Sequence, residues 1–197
     1  MLVSQRAFGT ASTQIWNPSA DVLKSGTVHF GIDNYFSIHG NASNDFQLAP
    51  DPFYFNFKFG VPESGPWPAV AVGGFNFGTR SGVTDYNMLY GATARTLPVI
   101  GRLTFGFYRG MNARLFPDLN GDPTNSGIIA SWDRALTEKI WACVDYASGE
   151  SWYGTLSAGG SYAFSPDVSV IFGYVIFNSR GVVPNNAFTT QLDINLH

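Results

Sequence analysis

The 197-residue chain carries 16% aromatic residues and 22 glycines but only 13% charged residues, against about 25% charged residues in a typical soluble domain. Its formal charge of -3 argues against a general nucleic-acid binder, which needs a basic face, and Cys143 alone leaves no intramolecular disulfide framework and no cysteine-rich metal site. No apolar run of about 18 residues occurs, which excludes a transmembrane helix but not a membrane barrel, whose strands are apolar only at alternate positions.

Residues 1–25 show no alternation, and Ile15-Trp16-Asn17-Pro18-Ser19 reads as irregular chain, a periplasmic N-terminal segment or a partial plug. Met1-Leu2-Val3-Ser4-Gln5-Arg6 lacks the apolar core of a secretory signal, so the expectation for an exported protein is that its signal has been removed. From residue 26 onward, alternation predicts strands at 26–40, 52–62, 67–79, 86–97, 101–111, 126–136, 140–149, 153–165, 168–178 and 187–197. The clearest is the eighth, where Leu156, Ala158, Gly160, Tyr162 and Phe164 alternate with Thr155, Ser157, Gly159 and Ser161 before Ser165-Pro166-Asp167 turns the chain. The fold class expected is all-β: one up-and-down antiparallel transmembrane β-barrel over 26–197, of about ten strands, with eight or twelve as alternatives.

The connections alternate in length, as outer-membrane barrels require. Glu63-Ser64-Gly65-Pro66, Leu97-Pro98-Val99-Ile100, Thr137-Glu138-Lys139 and Ser165-Pro166-Asp167 are short and expected at the periplasmic end. The longer Asn41–Asp51, Arg80–Asp85, Asn112–Asn125 and Ser179–Asn186, together with Glu150–Trp152, are expected outside. Trp67, Trp132, Trp141 and Phe164 lie beside the short turns and are read as an interfacial girdle. Phe53, Tyr86, Phe107, Tyr146 and Trp152 form a second group near the opposite ends.

Because successive strand side chains point to opposite faces, Val28, Phe30, Phe55, Phe57, Leu103, Phe105, Val170 and Phe172 are assigned to lipid. The same alternation assigns His29, Asp33, Tyr35, Asn56, Lys58, Arg95, Arg102, Asp133, Asp145, Gln191 and Asp193 to the lumen. Their mixed signs suit ion pairs across a narrow interior, since about eight strands enclose a space that side chains fill and open channels appear at about 16–18. A narrow pore or a structural membrane barrel follows as the expected function, with Lys58, Arg95 and Arg102 as candidate selectors of small ions or solutes.

Ser131-Trp132-Asp133-Arg134, Val144-Asp145-Tyr146 and the run from Ser161 to Tyr174 resemble stretches of uncharacterised, porin-like outer-membrane β-barrel proteins of Gram-negative bacteria. The resemblance covers most of the chain beyond Thr13. It implies barrel architecture and outer-membrane location, and carries over no catalytic residue. The ending Leu192, Ile194, Leu196 is similar to the C-terminal strand read by barrel-assembly machinery, a partner alongside outer-membrane lipid, although His197 stands where an aromatic residue is expected. Relatives are also expected to carry a further hairpin between Gly40 and Pro52.

Three weaker readings complete the analysis. Asp118, Asn120 and Asp122 space oxygen donors as calcium loops begin, but Pro123 and Ile129 stand where such a loop needs Gly and Glu, so no metal is expected. His39, Asp45, Asp51, Asp85 and Glu150 gather near the outer rim, as in omptin-type barrel proteases, yet no motif matches and the expectation is of no enzyme and no cofactor. A soluble lipocalin-like binder of apolar ligands would also alternate, with its apolar face turned inward.

Overall fold

The computed structural model describes residues 13–22, 28–36, 54–78, 80 and 84–196. Ten strands form: β1 (Val28–Phe36), β2 (Tyr54–Val61), β3 (Ala69–Gly78), β4 (Met88–Leu97), β5 (Gly101–Gly110), β6 (Ser126–Ala135), β7 (Ile140–Ala147), β8 (Thr155–Ala163), β9 (Val168–Phe177) and β10 (Ala187–Leu196). A single turn of 3₁₀ helix, Ala113–Leu115, sits in the long β5–β6 loop. The hairpin expected between Gly40 and Pro52 lies outside the described residues, as do Phe53 and the rim residues His39, Asp45 and Asp51.

All ten strands belong to one antiparallel sheet in the order β1-β10-β9-β8-β7-β6-β5-β4-β3-β2. The first strand pairs with the last, Val28 opposite Leu196 through Phe36 opposite Phe188, which brings the wall back on itself. Among the described residues no ladder joins β1 to β2. The sheet nevertheless wraps around residues 14–22, which meet side chains of β1, β2, β5, β6, β7 and β10. The fold is an up-and-down antiparallel barrel of about ten strands.

Short turns close one end. Ser64 and Trp67 exchange backbone hydrogen bonds of 3.1 and 3.0 Å across Gly65-Pro66, with Gly65 at φ +53, a conformation glycine adopts without steric cost. Leu136 and Phe164 close the β6–β7 and β8–β9 turns by donating to Ile140 and Val168. Where β2 meets β3, the register jumps from Phe55–Phe77 to Phe57–Gly74. This bulge puts Asn76 at φ 57, and the Asn56 side chain accepts its N–H at 2.8 Å.

The two faces divide by chemistry. Outward-pointing Phe55, Phe57, Phe59, Val70, Val72, Leu103, Phe105, Phe107, Leu156 and Phe172 are exposed, Phe59 at 69%. An apolar surface this extensive is foreign to a monomer in water and fits a lipid-facing wall. Many inward positions are small or polar, with Ala69, Ala71, Ala92, Ala94, Thr104, Ser157, Ser161, Thr189 and Gln191 all buried, and larger apolar side chains such as Met88, Tyr90, Ile171 and Val175 pack between them. That sidedness is the reverse of a lipocalin's. The girdle needs one correction: Trp67, Trp132 and Phe164 stand on the outer face, but Trp141 is 2% exposed and points inward. Its position in β7 shares the inner phase of Cys143 and Asp145, and Asp133 accepts its indole N–H at 3.0 Å.

Candidate functional site

The interior is occupied by the chain's own N-terminal segment. Thr13 and Pro18 form an antiparallel bridge, and Gln14 N–H donates to Asn17 O at 2.8 Å, so residues 13–18 make a tight hairpin. Pro18 suits the bridge, since proline pre-sets an extended backbone and lacks an N–H that would need an acceptor. The apex, Ile15-Trp16-Asn17, points toward the long-loop end, and residues 19–22 run back toward the short turns, where Asp21 reaches Arg102 and Val22 lies over Gly60.

Asp145 holds the apex. Its Oδ2 accepts N–H groups of Ile15 at 2.8 Å, Trp16 at 2.9 Å and Asn17 at 3.5 Å, while Oδ1 accepts the Asn17 side-chain amide at 3.4 Å. Consecutive amides converging on one carboxylate form an anion-binding nest. The opposite side of the hairpin is held through Ile15 O, which accepts from Gln191 Nε2 at 2.7 Å and Tyr35 Oη at 3.2 Å. Tyr153, in the β7–β8 loop, donates its hydroxyl to Asn17 Oδ1 at 3.1 Å. Burial, with the nearby Asp145 charge as a second cause, pushes that phenol well above its ordinary pKa and keeps it a donor.

Shape matches chemistry at the same place. Gly159 and Gly173 pair across β8 and β9, and a Cβ on either would lie 2.8 and 2.6 Å from Ile15 side-chain atoms. Glycine at these positions leaves the niche in which Ile15 is fully buried with Trp141, Cys143, Ile171 and Val175. Above it, the Trp16 ring meets Tyr35, Trp152 and Phe177 edge-on, at centroid separations of 5.2, 6.4 and 5.7 Å. Its indole N–H donates to Tyr153 O at 3.1 Å.

Lower in the barrel, Asp133 accepts from Gln14 Nε2 at 3.3 Å. Lys58 donates to Ser19 Oγ at 3.1 Å and Asp21 O at 2.9 Å. Arg102 bridges Asp21 at 2.8 Å and Glu63 at 3.0 Å. On the β1–β10 seam, His29 Nε2 lies 3.2 Å from Asp193 and its Nδ1 3.0 Å from Asn195. Asp33 faces the same seam, opposite Gln191.

Of the residues assigned to the lumen, His29, Asp33, Tyr35, Asn56, Lys58, Arg102, Asp133, Asp145, Gln191 and Asp193 share the inner phase of their strands. Arg95 does not, which corrects its assignment. It pairs with outward Leu103, flanked by inward Ala94 and Thr96, and its guanidinium bonds Gly65 O at 2.7 Å and Trp67 O at 3.2 Å at the short-turn rim. The alternation in β4 is set by buried Met88, Tyr90, Ala92 and Ala94. An arginine one position out of phase reaches the polar end of the barrel along its aliphatic stem.

Sequence reasoning missed Gln14, Asn17, Glu63 and Tyr153. Glu63 reads in the sequence only as part of a turn, yet it binds Arg102, lies 3.4 Å from the Arg95 guanidinium and accepts from the Thr96 N–H and hydroxyl. Asp118 turns its Oδ1 to the N–H groups of Asn120 at 2.8 Å and Asp122 at 2.9 Å, closing its own loop. Among the described residues no group of three His, Cys, Asp or Glu side chains is placed to hold a metal. Asp85 accepts from Asn112 at 3.1 Å, and Glu150 is exposed.

No protein-family model matches this chain, and no curated protein matches it. Its fold is similar to solved porin structures at low identity. A variant of the Rhodopseudomonas blastica porin carrying two substitutions gives a TM-score of 0.43 at 12% identity, over 73% of this chain and 44% of that one. A triple variant of the same porin gives 0.42 at 11% identity, over 73% and 44%. A chain described under asymmetric conductivity of engineered proteins gives 0.44 at 12% identity, over 72% and 44%. The match spans less than half the length of each of these chains.

Proposed function

We propose that this protein is an outer-membrane β-barrel whose narrow, polar lumen is closed by its own N-terminal hairpin, with the short turns on the periplasmic side. The observation that carries the reading is that five charged or amide side chains of the inner wall converge on the hairpin and the residues that follow it: Asp145, Asp133, Gln191, Lys58 and Arg102 all bond to residues 14–21. In this state small ions meet a filled interior, and passage requires the hairpin to leave. The exposed apolar belt supports the membrane placement.

The test is planar-bilayer recording on the refolded full chain and on a form lacking residues 1–22, with circular dichroism to establish the sheet in both. The full chain is expected to be silent or nearly so, and the shortened form to give stable current steps. Equal conductance of the two would overturn the closure. Two folded, silent barrels would remove the pathway and leave a structural role.

A further inference from the structure

At the long-loop end, a cleft of ≈ 710 Å³ opens between the hairpin apex and four external loops, a size within the range of about 300–1,000 Å³ common to small-molecule sites. Its walls include Trp16, Tyr86, Trp152 and Phe177, with Val183 on the β9–β10 loop and Arg114 at the rim. The rings stand nearly at right angles: Trp16 to Phe177 at 86°, Trp16 to Trp152 at 73° and Tyr86 to Trp152 at 90°. A flat aromatic guest in such a corner stacks on one ring while meeting the positive edges of the others, the geometries that aromatic pairs prefer.

The polar side of the cleft is selective by what is already spent. Both indole N–H groups are committed, Trp16 to Tyr153 O at 3.1 Å and Trp152 to Leu115 O at 2.9 Å. They hold their rings in place and offer a guest no donor. The Arg114 backbone N–H bonds Asn112 at 3.3 Å, but its guanidinium has no hydrogen bond or ion pair among the described residues. A free guanidinium beside an aromatic corner complements a carboxylate attached to a ring.

We infer that this cleft binds a monoanionic aromatic acid, its ring among Trp16, Tyr86, Trp152 and Phe177 and its carboxylate on Arg114. The site belongs to the loops and the hairpin apex, and it stands whether or not the lumen conducts.

The experiment is calorimetric titration of the folded full chain in detergent with naphthoate, with its neutral counterpart naphthalenemethanol, and with decanoate. Wild type is expected to bind naphthoate saturably. Naphthalenemethanol should bind about tenfold more weakly, the scale of one lost charge-assisted hydrogen bond. Arg114→Gln should bring naphthoate down to the level of the neutral compound. Val183→Trp, which fills the cleft from an exposed loop, should abolish the saturable phase and leave only partition into micelles. The inference is overturned if naphthoate shows no saturable phase in wild type, if decanoate binds as tightly, or if folded Val183→Trp and Arg114→Gln proteins bind naphthoate like wild type.

Discussion

Asp145→Ala is the sharpest probe of the interior, because Cys143 beside it is the chain's one thiol and reports on whether the hairpin is docked. Cys143 is 1% exposed and shares its buried cluster with Ile15. Removing the carboxylate leaves the N–H groups of Ile15 and Trp16, now bonded at 2.8 and 2.9 Å, without an acceptor inside the barrel. Each buried, unsatisfied donor costs about 1–3 kcal/mol. The longer contacts of Asn17 add little, so the hairpin loses about 2–6 kcal/mol of docking free energy. The donors recover their hydrogen bonds from water once the hairpin swings out, so the cost falls on docking rather than on the strand ladders. If labelling follows the equilibrium population of the undocked state, Cys143 should react with a water-soluble maleimide ~30-fold to on the order of 10,000-fold faster than in wild type. Asp145→Asn keeps one acceptor oxygen and should fall between the two. The assay is mass-spectrometric timing of Cys143 labelling in folded, detergent-solubilised protein, with heat-shifted gel mobility confirming the barrel. A folded Asp145→Ala protein labelling at the wild-type rate would refute the role given to the nest.

Two further perturbations separate inside from outside. Arg102→Met removes the bridge from Asp21 to Glu63, a partly exposed ionic contact worth about 1–2 kcal/mol after screening; it should speed Cys143 labelling roughly 5- to 30-fold, whereas Arg95→Met, which loses only an exposed 3.4 Å contact to Glu63 and leaves Arg102 paired, should change the labelling rate by no more than about twofold. Phe105→Arg places a cation among the outward rings beside Phe107 and should destabilise the barrel in lipid by about 2–4 kcal/mol if residue 105 lies near the midplane; wild-type resistance to heat-unfolding in vesicles would count against that face meeting lipid.

The wall was legible because its signal is local. Period-two alternation, Gly-Pro and Ser-Pro turns and the alternation of long with short connections are written within ten or so residues of one another, and β2 through β10 pair in chain order, while β1 pairs with β10 and, among the described residues, not with β2. Phase was readable wherever one face is strongly apolar, as in β5 and β9. It failed in β4, where Met-Leu-Tyr-Gly-Ala-Thr-Ala-Arg-Thr-Leu offers two faces of similar polarity, and the arginine was counted inward when the small alanines across the strand had set the inner phase. Trp141 failed for a related reason: a tryptophan beside a turn reads as an interfacial anchor, and only the inward Asp133 two positions from the end of β6 supplies the acceptor that draws it inside.

The hairpin belongs to a different class of problem. Its anchors lie 119 to 176 residues away in the chain, at Asp133, Asp145 and Gln191, and nothing in residues 13–18 repeats with a period that would advertise a partner. Alternation gave the inward direction of those three side chains but not what they meet there. An inward aspartate serves equally as half of an ion pair across the lumen or as the acceptor for a run of backbone amides, and the sequence favoured the first because Lys58, Arg95 and Arg102 were on hand. The geometry uses the second at Asp145, for a reason that bears on closure. A carboxylate paired with a flexible cation leaves room for water around both, whereas one that binds successive amides fixes the backbone of the segment it holds. Ile15 can then fit against Gly159 and Gly173, where a Cβ would not. The two glycines and the aspartate are three separate marks on β7, β8 and β9 of one requirement, that the hairpin apex sit at this depth; each reads alone as an ordinary barrel residue, and together they specify what fills the lumen.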